Sequence, residues 1–135
     1  FNVSVWTAAS KDYALFIIEN IIVKNRKDRK LDWIFFSTHC SMSKKNNGRS
    51  KNLKMLWDKF EITGYDESNT FILDDNDEVC GTQPENCIQI TPFEFFKDDS
   101  HKDKYLKNLK ISLENHSNHS NIRDIIKNVK QDMDE

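Results

Sequence analysis

The chain has 135 residues, 37% of them apolar and 31% charged, with a formal net charge of −2. That is enough for one domain, too apolar for a disordered segment, and too evenly charged for the basic face that nucleic-acid binders present. The longest apolar run, residues 16–23, is broken by Glu19 and Asn20 and is too short to span a bilayer, and no secretory leader is visible.

Residues 3–6 are apolar with β-branched members and read as a buried strand ending at Thr7-Ala8-Ala9. Ser10 offers an N-cap, Asp12 suits the first turn, and residues 13–23 follow as a helix with Ile17, Ile18, Ile21 and Ile22 at helical spacing. Residues 25–30 form a charged turn, and residues 33–36 a second strand. Residues 38–50 are polar and close on the turn signal Asn46-Asn47-Gly48. Ser50 then caps an expected helix whose Leu53, Leu56, Trp57 and Phe60 share one face. Residues 70–73 and 87–90 are the third and fourth strands, the last broken by Pro92. Ser100 and Asp103 start a helix with Leu106, Leu109 and Leu113 inward, and Asn121 opens a last helix striped with Ile122, Ile125, Ile126 and Val129. Strands alternating with helices predict an α/β fold with a mainly parallel sheet.

Three cysteines, Cys40, Cys80 and Cys87, are odd in number and form no CxxC pair. Reduced, buried thiols in an intracellular protein are the simplest reading; zinc shared with His39 would match no finger spacing. His116 and His119 fall in a polar loop and read as loop residues.

In open α/β sheets, ligands bind beyond the carboxyl ends of the strands. At the first such end, the Thr7 hydroxyl and the backbone N–H groups from Ala8 onward suit a phosphate, although taken alone they make an ordinary N-cap turn. At the third strand's end, Asp74 and Asp75 repel each other and call for a cation, magnesium by their hard oxygen ligands; an acidic turn explains them equally well. Lys51, in the first turn of an expected helix, meets an unfavourable dipole that a bound phosphate would relieve, yet a solvated lysine would look the same. Lys44, Lys45 and Arg49 could steer an anion. Asp75-Asn76-Asp77-Glu78-Val79 fits the D-x-D-x-T/V pattern of an aspartyl-phosphate nucleophile, but a nucleophile strand should precede the Thr7 strand, so this match reads as a decoy.

In order, these pieces resemble the phosphatases of the haloacid dehalogenase superfamily that act on the RNA polymerase II tail. Residues 5–14 resemble that family's second motif, Cys40 and Lys51-Asn52-Leu53 its third, and Phe71-Ile72-Leu73-Asp74-Asp75 its fourth; Asn52 stands where an acidic residue is usual. Gln83-Pro84-Glu85-Asn86-Cys87-Ile88 is similar to a segment known chiefly from this family. The resemblance implies a Rossmann-like sheet flanked by helices. It implies that Thr7 and Ala8 bind the phosphoryl group, that Lys51 balances its charge, that Asp75 binds Mg2+, and that Asp74 supports the metal or orients Lys51. The nucleophile and general acid would be the aspartates of a D-x-D-x-T motif on the first, central strand, attacking to give an aspartyl-phosphate that water hydrolyses. No such motif precedes Thr7. A chain opening on Phe1 is therefore expected to be one N-terminally incomplete domain whose central strand, between the Thr7 and Asp74 strands, is missing.

The expected function is a Mg2+-dependent phosphatase for phosphoserine or phosphothreonine in proteins, with a phosphoprotein partner such as the RNA polymerase II tail and, by resemblance, a nuclear place of action. The alternatives are a non-catalytic module on the same fold and a phosphatase for small molecules or nucleic-acid ends. Neither a membrane nor directly bound nucleic acid is expected.

Overall fold

The computed structural model describes residues 1–134. Strand β1 (Val5–Trp6) pairs in parallel with β2 (Ile34–Phe35), Val5 opposite Ile34 and Trp6 opposite Phe35. Further bonds from Thr7 N–H to the Phe35 carbonyl (3.0 Å) and from Asp32 N–H to the Val3 carbonyl (2.9 Å) lengthen the ladder at both ends. Strand β3 (Ile72–Asp74) pairs in parallel with β4 (Cys87–Gln89), Asp74 opposite Gln89. Parallel pairing is as expected, and among the described residues the strands form two two-stranded sheets, β1 with β2 and β3 with β4. The chain accordingly divides into two compact units, residues 1–52 and residues from Leu53 onward.

In the first unit, Ser10 caps α1 (Lys11–Ile17), its Oγ accepting the Tyr13 N–H at 3.3 Å. The helix runs on as a π-helical turn, Ile18–Ile22, with Ala14 and Ile18 buried. The second helix corrects the sequence reading. Most of the polar stretch 38–50 is helical: Ser37–Asn47 form α2. His39 reaches back to accept the Phe36 N–H at 2.9 Å, and Gly48 ends the helix in the left-handed region at φ 72°. With no apolar stripe, α2 gave no periodic signal; the turn seen at Asn46-Asn47-Gly48 is its C-terminal cap.

In the second unit, the helix expected from Ser50 reduces to a π-helical turn, Met55–Lys59. A short helix, α3 (Asp77–Gly81), follows β3 and is capped by Asn76, whose side chain accepts the Glu78 N–H at 2.8 Å. Helices α4 (Tyr105–Asn115) and α5 (Ile122–Asp134) pack together, and the α5 stripe of Ile122, Ile125, Ile126 and Val129 joins Ile88 and Leu109 in the core, as the spacing predicts. Leu106 does not: it is 64% exposed, so the inward face of α4 is narrower than expected. The Gln83–Ile88 segment earns its composition through side-chain bonds. Gln83 Oε1 accepts the Leu53 N–H (3.0 Å), and buried Asn86 donates to the carbonyls of Glu67 and Thr70 (2.7 and 2.8 Å) while accepting from Arg123.

The cysteine reading is also corrected. The chain turns from α3 through a 3-10 turn at Pro84–Asn86 into β4, which sets the Cα atoms of Cys80 and Cys87 5.2 Å apart, and the two are joined as a disulfide. Cys40 is buried and unbridged. No helix among the described residues is long and apolar enough to cross a membrane.

Candidate functional site

Thr7 leaves β1 at the carboxyl end of the strand pair. Its Oγ1 accepts the Ala9 N–H at 3.1 Å, which folds the chain into the turn before α1 and does not use the hydroxyl hydrogen. Thr7 is half-buried and Ala8 exposed, so both can meet a ligand at the tip.

Lys51 is not in the first turn of a helix. It sits in a turn at φ 55°, the left-handed region that costs a non-glycine residue about 1 kcal/mol. The dipole argument for Lys51 therefore falls; Asn25 and Glu61 share the same left-handed region. The turn is held from α2. Ser43, fully buried, accepts the Asn52 N–H at 2.9 Å and donates to the Arg49 carbonyl at 2.5 Å, clasping the residues on both sides of Lys51. One turn earlier on the same helix, Cys40 donates to the Thr7 carbonyl at 3.6 Å. Cys40 and Ser43 lie three apart and so share a helix face. This face of α2 thus supports both the Thr7 tip and the Lys51 turn. Sequence reasoning passed over Ser43; the available signals were His39 three residues after Phe36 and Gly48 at the far end, which bracket a helix.

Asp74 and Asp75 differ in setting. Asp74 is 7% exposed, and its Oδ1 accepts the Asn76 N–H at 2.9 Å, shaping the turn. Asp75 is exposed and lines a cleft with Ile90, Pro92, Tyr105 and Leu106. Gln89, opposite Asp74 in register, donates across the turn to the Asp77 carboxylate. Among the described residues no group of three or more His, Cys, Asp or Glu side chains is gathered as a metal cage. Mg2+ does not require one, because it keeps several waters and is often held by one or two carboxylates with substrate phosphate. The donor set at the β3 end fits that mode. Thr7 and Lys51 lie in the first unit, Asp74 and Asp75 in the second. His116 lies at the end of α4, its Nε2 2.9 Å from the Asp132 carboxylate.

Parallel strand pairs with helices between them, and polar residues at the strands' carboxyl ends, place the protein in the α/β class, compatible with a phosphatase fold. Residues 1–123 match the NLI interacting factor-like phosphatase family, and the chain belongs to it, within the CTD phosphatase-like branch of the haloacid dehalogenase superfamily. It is 46% identical over 121 residues to protein 355R of Invertebrate iridescent virus 6, described as a candidate CTD phosphatase-like protein, covering 87% of this chain and 66% of the relative. It is 40% identical over 119 residues to the 355R protein of Invertebrate iridescent virus 3, covering 84% and 63%. An uncharacterized protein, 037R, of Frog virus 3 is 34% identical over 98 residues, covering 69% and 40%. The chain thus spans just under two thirds of the first two relatives.

Proposed function

We propose that this chain forms most of one Mg2+-dependent, aspartate-nucleophile phosphatase domain acting on phosphoserine or phosphothreonine in proteins, the RNA polymerase II tail being the substrate type that the family suggests. The observation that carries the reading is the match of residues 1–123 to a phosphatase family, in a chain whose strand tips hold a hydroxyl, a strained lysine turn and a carboxylate pair. In it, Thr7 and Ala8 hold phosphoryl oxygens, Lys51 balances their charge, Asp75 binds Mg2+, and Asp74 fixes the turn that presents Asp75. Bound Mg2+ would neutralise phosphate charge. The nucleophilic aspartate belongs to a further strand from outside these 135 residues, in a Rossmann-like sheet. Each two-stranded sheet, taken by itself, has edges such a strand could pair with.

The test uses the full-length protein. Phosphate release from phosphoserine and phosphothreonine peptides should require Mg2+ and exceed release from nucleotides and sugar phosphates. Calorimetric titration of the Asp75→Ala variant should show Mg2+ affinity at least about tenfold weaker than wild type. Unchanged affinity would sink the metal assignment, and absent peptide turnover would sink the function.

A further inference from the structure

The cleft lined by Asp75 has a second feature that phosphoryl transfer does not use. It has a volume of about 460 Å³ and lies past the carboxyl ends of β3 and β4, where the chain leaves Asp75 on one side and Ile90-Thr91-Pro92 on the other. Beyond Asp75 its lining is mixed: Ile90, Pro92, Phe93, Tyr105 and Leu106 form an apolar wall, and Thr91, Ser100, Asp103 and Lys107 are polar. Phe93 is 63% and Leu106 64% exposed, and Phe95 and Phe96, close by in the chain, are 77% and 71% exposed. Scattered apolar side chains are ordinary on a surface; a concave group of them beside a candidate cation site is not. Lys107 is the cation of the lining, alongside the carboxylates of Asp75 and Asp103.

We infer that this cleft is a specificity pocket for an apolar side chain flanking the phosphorylated residue of a peptide substrate. The inference rests on the phosphatase reading above. A phosphoryl group on Mg2+ at Asp75 would hold one end of the peptide at the mouth of the cleft. The adjoining wall would then meet a neighbouring side chain, with Lys107 near the substrate's negative charge. The volume exceeds that of one aliphatic side chain, which leaves room for a peptide in extended form. A small phosphate ester would engage Asp75 alone; a peptide with a leucine at the right offset would engage both.

The experiment uses the full-length protein with Mg2+ and a set of glycine-rich phosphoserine peptides in which one leucine is walked from four residues before to four after the phosphoserine. One offset should raise kcat/KM about tenfold over the all-glycine peptide, mainly through KM. Leu106→Asp, and independently Phe93→Ser, should bring that leucine-to-glycine ratio below about twofold, with circular dichroism confirming the fold. No preferred offset, or a preference that survives both substitutions, overturns the pocket. A Leu106→Asp variant that changes sedimentation instead of the ratio also overturns it, by assigning the surface to self-association. If wild-type protein hydrolyses none of the peptides, the phosphatase reading itself fails and the pocket with it. Turnover of the all-glycine peptide without a leucine effect rejects the pocket alone.

Discussion

Helices α5 and α2 are of similar length, and they were built by different means. In α5, Ile122, Ile125, Ile126 and Val129 recur at helical spacing and are all nearly excluded from solvent. In α2 the buried residues are Cys40 and Ser43, Met42 is half-buried, and the rest is Ser, Thr, His, Lys and Asn. The first helix is held by apolar burial, a force that leaves its period in the sequence. The second is held by specific bonds, from the His39 reach-back at one end to the Gly48 cap at the other, with Ser43 tied to Arg49 and Asn52 between them. A burial-driven helix serves stability. A helix held by hydrogen bonds, beside Thr7 and Lys51, is suited to positioning.

That contrast can be broken by substitution, all measurements being made in the full-length protein. The largest stability loss should come from α5: Ile126→Ala removes a fully buried side chain from the Ile88–Leu109–Val129 cluster and should cost about 3 kcal/mol in denaturant unfolding, with phosphopeptide turnover at saturation retained. A Ile126→Ala protein that stays folded but loses turnover would blur the division of labour. Lys51→Gly is the converse case. Glycine suits φ 55°, so the free energy of unfolding should change by less than about 1 kcal/mol, while kcat falls roughly a hundredfold through loss of the cation. Wild-type kcat in that variant would reduce Lys51 to a turn residue. Ser43→Ala should fall between the two. It leaves the Arg49 carbonyl and Asn52 N–H, in a part-buried setting, without their hydroxyl and should cost about 1 kcal/mol, together with a smaller loss of kcat as the Lys51 turn loosens. A stability loss with no change in kcat would make α2 purely structural.

The smallest effect concerns pH. The Ser112 hydroxyl, and after it the His116 imidazole, bond the Asp132 carboxylate between α4 and α5 and hold its pKa below the ordinary range. A carboxyl whose folded pKa is depressed adds stability that is fully present above its unfolded value, near about 3.9, and is lost as pH falls through the folded value. Thermal unfolding should therefore show an acid-side slope below about pH 4 that Asp132→Asn diminishes. An identical slope in the variant would assign acid sensitivity elsewhere.

The sequence by itself determined what periodicity and caps encode. The strands around Val5, Ile34, Ile72 and Cys87, the Ser10 cap, the α5 stripe and the parallel pairing were all legible, because apolar burial imposes a period and helix ends have local chemistry. Of the candidate site, the residues were legible as types at strand ends; their settings were not. Tertiary structure decided that Asp74 is buried and bonded to Asn76 while Asp75 faces a cleft, although the two are chemically identical neighbours. It decided that residues 37–47 coil around Cys40 and Ser43, that Lys51 occupies a left-handed turn, that Leu106 points outward, and that Cys80 meets Cys87. Each of these rests on contacts with residues distant along the chain or on the dihedral angles of a turn, and neither leaves a repeating trace in the order of the residues.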